Sequence, residues 1–294
     1  MENNQNNTQI PSQTIPITRP QSQKVVQNEN VDFNAVPEQF IEKSKYPTQQ
    51  INFVSEGLPY SETSPLSSGV IEIKPVTAYQ EDILTNQSYL KRGTVLIELL
   101  KSLLVDKRIK VEDFLVCDLN GIFISIRRSA YGDSYPVKLK CPSCGVENEI
   151  DVDLNTFQPN PIDYDVIKKG VNSFEFLLPA CNKTITFKLL TQKDDNNIEL
   201  ELKSLSKINK EKSPELSTRL KYIITSVDGE DDKATIRNFV DKELLSKDSM
   251  ELRKYIKKIT PDVPMVINFE CNSCGHNEER LGVPMEVSFF WPSA

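Results

Sequence analysis

The sequence predicts an α+β fold. Two cysteine-tipped β-hairpins, distant in the chain, face each other; a small helical module precedes the first, and a large strand-plus-helix insertion separates them. Three observations carry this expectation. First, Cys141-Pro142-Ser143-Cys144-Gly145 and Cys271-Asn272-Ser273-Cys274-Gly275 repeat one C-x2-C-G pattern. Second, the flanks of both pairs alternate apolar and polar residues, the period-two signature of strands. Val137-Lys138-Leu139-Lys140 and Ile150-Asp151-Val152-Asp153-Leu154 bracket the first pair, and Val266-Ile267-Asn268-Phe269 and Met285-Glu286-Val287-Ser288-Phe289 bracket the second. Third, apolar residues elsewhere recur at helical spacing, as in Val95, Leu96, Leu99, Leu100, Leu103 and Leu104.

Taken in order, residues 1–56 read as an extended polar arm. Glu2 is followed by Asn3-Asn4-Gln5-Asn6-Asn7, prolines 11, 16 and 20 interrupt, and the first aromatic residue is Phe33. Such a segment buries too little apolar surface to offset its ordering entropy, so it is expected to order only against a neighbour. Residues 57–133 read as a strand and helical module. Val70-Ile71-Glu72-Ile73 is the strand, and Thr77 with Gln80 forms a capping box before Ile83 and Leu84. Thr94 starts the next helix; a short one follows near Val111–Val116, and a further one starts at Asn120-Gly121 and ends near Gly132. Residues 134–157 form the first hairpin.

The insertion spans residues 158–262. Phe174-Glu175-Phe176 and Thr184-Ile185-Thr186-Phe187 read as a strand pair joined at Asn182-Lys183. A helix over about Asp195–Asn209 follows. Ser213-Pro214 starts another, presenting Leu216, Leu220, Ile223, Ile224 and Val227 before Asp228-Gly229 stops it. Two more run near Thr235–Leu245 and Ser249–Ile259. Residues 263–294 hold the second hairpin and an aromatic C-terminus, Phe289-Phe290-Trp291. These rings are candidate partner anchors, since aromatic residues are enriched in interface hot spots; the competing reading is that they complete the local core.

The paired motifs give four thiolates: Cys141, Cys144, Cys271 and Cys274. Two C-x2-C turns supply the ligand count of a closed tetrahedral site, which identifies structural Zn(II) as the cofactor and the fold as a zinc ribbon. Gly145 and Gly275 follow each second cysteine, where a tight turn needs positive φ. Iron in a rubredoxin-like site is the alternative, because C-P-x-C-G also suits tetrahedral iron. Redox C-x-x-C chemistry would need a βαβ context that the sequence lacks. A four-sulfur site leaves no open position for water or substrate, which argues against an enzyme.

The remaining features agree. The single histidine, His276, lies beside a pair whose ligands are already counted, so any triad would have to use it. No Gly-rich phosphate loop is present. Asp228-Gly229-Glu230-Asp231-Asp232 does not match the spacing of a calcium loop and reads as a solvated turn. Cys117 and Cys181 sit in apolar contexts as free thiols rather than a disulfide, and the cysteine usage suits a reducing compartment. No apolar run reaches the ~18 residues needed to span a membrane, and the N-terminus is not a signal peptide. The net charge of −7 disfavours nucleic acid as a partner. Binding to phosphates needs concentrated cations, and Arg127-Arg128, Lys138 with Lys140, and Arg253-Lys254 with Lys257-Lys258 are short clusters in an acidic chain.

The order of several motifs resembles the baseplate protein family of T-even-like contractile-tailed phages. The resemblance runs from Val70–Ile73 through Pro75-Val76-Thr77 and Glu81-Asp82-Ile83-Leu84-Thr85-Asn86. It continues in Leu90-Lys91-Arg92-Gly93, Ile126-Arg127-Arg128-Ser129-Ala130-Tyr131-Gly132, Tyr135-Pro136-Val137 and Cys141–Gly145, covering about residues 57–290. The Asn/Gln-rich arm departs from the family, as does Leu58-Pro59-Tyr60, where the family is more regular (Leu-Pro-Ser-x-Gly). The resemblance implies a hub or hub-proximal structural component of the tail baseplate, located in the virion and made in the host cytoplasm, with no catalytic residues. Its partners would be other baseplate and tail proteins, with the arm lying on a neighbouring subunit. A non-virion baseplate assembly chaperone shares these features, and a nucleic-acid-binding zinc ribbon is the alternative of another class.

Overall fold

A computed structural model of the chain describes residues 41–42, 44–208, 214–285 and 287–290. It is a mixed α and β structure. The first element, β1 (Gln49–Asn52), pairs antiparallel with β2 (Val70–Ile73), Ile51 lying opposite Ile71. The sequence runs the arm through these residues; the structure draws them into the body. Gln-Gln-Ile-Asn has one apolar side chain and no strand pattern of its own. Its extended form comes from the ladder to β2 and from the burial of Ile51 and Phe53. Upstream, Ile41 bridges Asp106, and the Glu42 carboxylate meets Lys74 at 2.8 Å and Lys107 at 2.5 Å.

The helical module follows as α1 (Ala78–Thr85), α2 (Gln87–Arg92), α3 (Val95–Leu103) and α4 (Val116–Tyr131). The Thr77–Gln80 capping box is present, and Val95, Leu99, Leu100 and Leu103 are the buried face of α3. The expected short helix near Val111–Val116 is a 3-10 turn over Val111–Asp113, and α4 begins before Asn120-Gly121 rather than at it. Gly121 is an interior position of close approach: a Cβ there would stand 2.8 Å from a Val54 methyl.

A buried polar knot ties residues 55–60 to α4. Asp118 is fully buried and accepts hydrogen bonds from the Ser55 backbone N–H at 2.9 Å, the Ser55 hydroxyl at 2.7 Å and the Tyr60 hydroxyl at 2.7 Å. The Tyr60 oxygen in turn accepts the Leu115 N–H at 2.8 Å. Burial pushes the Asp118 carboxyl above its usual range, and the three donors oppose the shift.

The insertion contains a three-stranded antiparallel sheet, not a strand pair. Here β5 (Phe174–Leu177) pairs with β6 (Thr184–Phe187), and β6 pairs with β7 (Ile224–Val227). The sequence assigns Ile224 and Val227 to a helical face; the structure ends α6 (Glu215–Ile223) and turns the next four residues into a strand. Ile-Thr-Ser-Val is rich in β-branched residues, which lose side-chain freedom in a helix, and β6 offers an unpaired edge. The other helices are α5 (Gln192–Ile208), α7 (Lys233–Asn238), which runs into a π-turn at Phe239–Glu243, and α8 (Ser246–Ile259).

Between α4 and the insertion, β3 (Ser134–Lys140) and β4 (Glu147–Asp153) form the first hairpin; after α8, β8 (Val266–Glu270) and β9 (Asn277–Gly282) form the second. The strand expected over Met285–Phe289 is absent: β9 ends at Gly282, and Val287–Phe290 form a 3-10 turn. That turn sends two rings inward. Phe289 packs edge-on to Tyr135 with centroids 4.8 Å apart, and Phe290 packs edge-on to Phe123 at 5.9 Å. Both are fully buried in this chain and belong to its apolar core, the arrangement expected if these rings complete the local core. Trp291 lies outside the described residues. One continuous apolar core joins the module, the insertion sheet and the inner face of the first hairpin.

Candidate metal centre

Each hairpin turns back through the same hydrogen-bonded loop. In the first, the Cys141 N–H donates to the Val146 carbonyl and the Gly145 N–H to the Cys141 carbonyl, both at 2.9 Å. In the second, the Cys271 N–H donates to the His276 carbonyl and the Gly275 N–H to the Cys271 carbonyl, again at 2.9 Å. Gly145 and Gly275 adopt φ of +72° and +68°, the left-handed geometry that permits the reversal.

These two loops, separated by more than a hundred residues, bring their sulfurs together. Cys141 Sγ lies 3.7 Å from Cys274 Sγ, and Cys144 Sγ lies 3.7 Å from Cys271 Sγ. All four sulfurs fall within 4.8 Å of one another. Zinc–sulfur bonds of about 2.3 Å in a tetrahedron imply sulfur–sulfur edges of about 3.8 Å, so the four residues fit such an ion. A disulfide would need about 2.0 Å, and all six cysteines are free. One cysteine of each pair is buried (Cys141 and Cys271) and one is exposed (Cys144 and Cys274), and each close contact joins a buried sulfur to an exposed one.

The sulfur electrostatics are asymmetric. Backbone N–H groups of Cys274 and Ser273, with the Asn148 amide, pull the Cys271 thiol down to about 6 against the effect of burial. The His276 N–H favours the Cys274 thiolate, but the neighbouring sulfurs of Cys144, Cys271 and Cys141, together with desolvation, push that thiol up to about 12. Four thiols crowded in this way share protons that a bound cation would replace. Bound there, a metal would supply a fourfold cross-link with every position filled by sulfur.

Asn148, at the start of β4, was not singled out by sequence. It is 4 % exposed, and its amide donates to the Val146 carbonyl at 3.0 Å and to Cys271 Sγ at 3.6 Å. Its side-chain oxygen accepts the Asn272 N–H at 2.9 Å. No local pattern marks it, because two of its three partners, Cys271 and Asn272, lie on the other loop. His276 lies outside the sulfur cluster, with Nε2 3.3 Å from Glu278.

The other sequence candidates fall elsewhere. Arg127 is 1 % exposed; it donates to the Gly132 and Ser134 carbonyls at 3.0 and 2.9 Å and lies over the Tyr131 ring. It is an internal strut and not part of a basic surface. Arg128 pairs with Asp133, Lys140 with Glu147 and Lys254 with Glu251. The acidic turn serves local structure: Asp228 accepts the Thr184 N–H at 2.8 Å, and Asp232 caps α7 through the Thr235 N–H at 2.9 Å. Burial raises the thiols of Cys117 and Cys181. Among the described residues, no helix is long and apolar enough to cross a membrane.

Comparison with known proteins agrees with the order of motifs. Neither the curated proteins nor the solved structures gave a match. A family model described as T4 bacteriophage base plate protein matches residues 58–291. That span runs from the loop beside the Asp118 knot to the aromatic C-terminus and contains both cysteine turns, and on it the chain belongs to the T4 phage baseplate protein family.

Proposed function

We propose that this chain is a non-catalytic structural component of the hub or hub-proximal part of a contractile-tail baseplate, held together by one structural zinc in a zinc ribbon. The observation that carries the reading is the convergence of Cys141, Cys144, Cys271 and Cys274 in a chain of a baseplate family. A closed four-sulfur site holds remote segments and leaves no position for a substrate. Structural zinc contributes on the order of 10–16 kcal/mol in small zinc-finger peptides, enough to fix a hairpin with little core of its own. Contacts with other baseplate proteins run through the N-terminal arm, whose composition favours ordering on a neighbouring subunit, and through exposed strand edges.

Two measurements test this. Mass spectrometry of purified phage particles should find the chain at a fixed stoichiometry; its absence there would assign it to transient assembly instead. Elemental analysis of the purified protein should find one zinc per chain; one iron, with the visible absorption of an iron–thiolate centre, would correct the metal and keep the site.

A further inference from the structure

We infer that Asn148 is a clasp that locks the two cysteine turns in register and so sets the affinity of the four-sulfur site for its metal. This rests on the reading of the cluster as a metal site.

The carboxamide makes three contacts that no backbone pairing provides. Its oxygen accepts the Asn272 N–H at 2.9 Å, across 124 positions of sequence. Its nitrogen donates to the Val146 carbonyl at 3.0 Å and to Cys271 Sγ at 3.6 Å. The orientation is fixed by chemistry: only the oxygen can accept from an N–H, and only the nitrogen can donate to a carbonyl. One side chain therefore holds its own turn, the opposite turn and an opposite sulfur at once. It is 4 % exposed, so these bonds compete little with water.

The pseudo-repeat breaks at this position. Asn148 is the fourth residue after Cys144, and the fourth residue after Cys274 is Glu278. The Glu278 carboxylate faces His276 at 3.3 Å. An ionised carboxylate has no hydrogen to donate to sulfur and would repel a thiolate. The clasp thus runs one way, from the first hairpin to the second. An N–H···S bond also withdraws electron density from a sulfur that three other thiolates crowd. Removing an outer partner of this kind typically costs about 10–100-fold in metal affinity.

The test uses the full-length chain, titrated with Zn(II) and with Co(II) against a competing chelator. The wild type should bind one metal. Asn148→Ala should bind one metal about 10–100-fold more weakly. Its sulfur-to-cobalt absorption band should move to lower energy, because a sulfur freed of its donor gives up electrons more readily. A residue that only props the fold would leave that band in place. Asn148→Asp, of nearly the same shape, guards against loss of folding. It should keep the Asn272 N–H protected in hydrogen exchange yet bind metal more weakly than wild type, because its charge faces Cys271. Wild-type affinity and an unshifted band in both variants would overturn the clasp and leave the metal site standing. A wild-type chain that binds neither metal would remove both readings.

Discussion

The two hairpins carry the same loop chemistry on unequal foundations. The first has seven consecutive cross-strand pairs, from Ser134 with Asp153 to Lys140 with Glu147. Its inner face, with Tyr135, Val137, Leu139 and Val152, is buried in the core. The second loses register between Ile267 and Phe269. There Glu279 and Arg280 face the single residue Asn268, and Arg280 takes a left-handed φ of +61°. Of its eleven strand residues only Phe269 is fully buried. The first hairpin is therefore held by packing, whereas the second buries little of its own and meets the rest of the chain at its tip, at the sulfur cluster and Asn148. Identical motifs do not imply identical dependence on a metal, because stability comes from the surface each strand buries.

The largest effect should come from removing the grip. Cys271→Ser should lose the metal and several kcal/mol of stability. Amide exchange should rise over residues 266–282 well before it rises over 134–153. Equal and simultaneous loss in both hairpins would break the comparison. Cys141→Ser and Cys274→Ser should likewise misfold or aggregate, and finding both folded and metal-free would count against the site.

Next in size is Phe289→Ala, which empties the space against Tyr135. Truncating a buried Phe costs about 3–5 kcal/mol. The first hairpin should bear that loss, with metal stoichiometry unchanged, as exchange mapping would reveal. Arg280→Gly should act on the second hairpin alone. A non-glycine residue in the left-handed region costs roughly 1–2 kcal/mol, and glycine's greater freedom in the unfolded chain takes back part of the gain. A net stabilisation of about 0.5 kcal/mol is expected from denaturant midpoints. Destabilisation would mean that the arginine side chain makes a contact worth more than its strain.

The smallest effect lies outside both hairpins. Lys107 and Lys74 hold the Glu42 carboxyl down to about 2, from an ordinary value near 4.5. A depressed acid stabilises the fold when ionised, so this contribution is complete above about pH 4.5 and disappears as the pH falls toward 2. Because the Glu42 carboxylate is largely solvent-screened, Glu42→Gln should cost no more than about 0.5 kcal/mol at neutral pH. It should flatten the acid limb of a stability–pH curve and leave metal binding as it was.

The sequence by itself determined the cysteine loops, the glycines that close them, the strands leading into them and the main helices. These depend on neighbours a few residues apart: a C-x2-C-G turn, a Thr77–Gln80 cap, an apolar stripe at helical spacing. Tertiary structure decided what depended on a remote partner. Gln49–Asn52 became a strand because β2 lay beside it, and Ile224–Val227 because β6 had a free edge. Phe289 and Phe290 turned inward because Tyr135 and Phe123 offered apolar surface. Arg127 found its acceptors at Gly132 and Ser134, and Asn148 found a donor, the Asn272 N–H, across the sulfur cluster. The physical reason is common to all of these: a hydrogen-bond acceptor or an apolar surface contributed by a distant segment leaves no periodic trace in the residues that come to meet it.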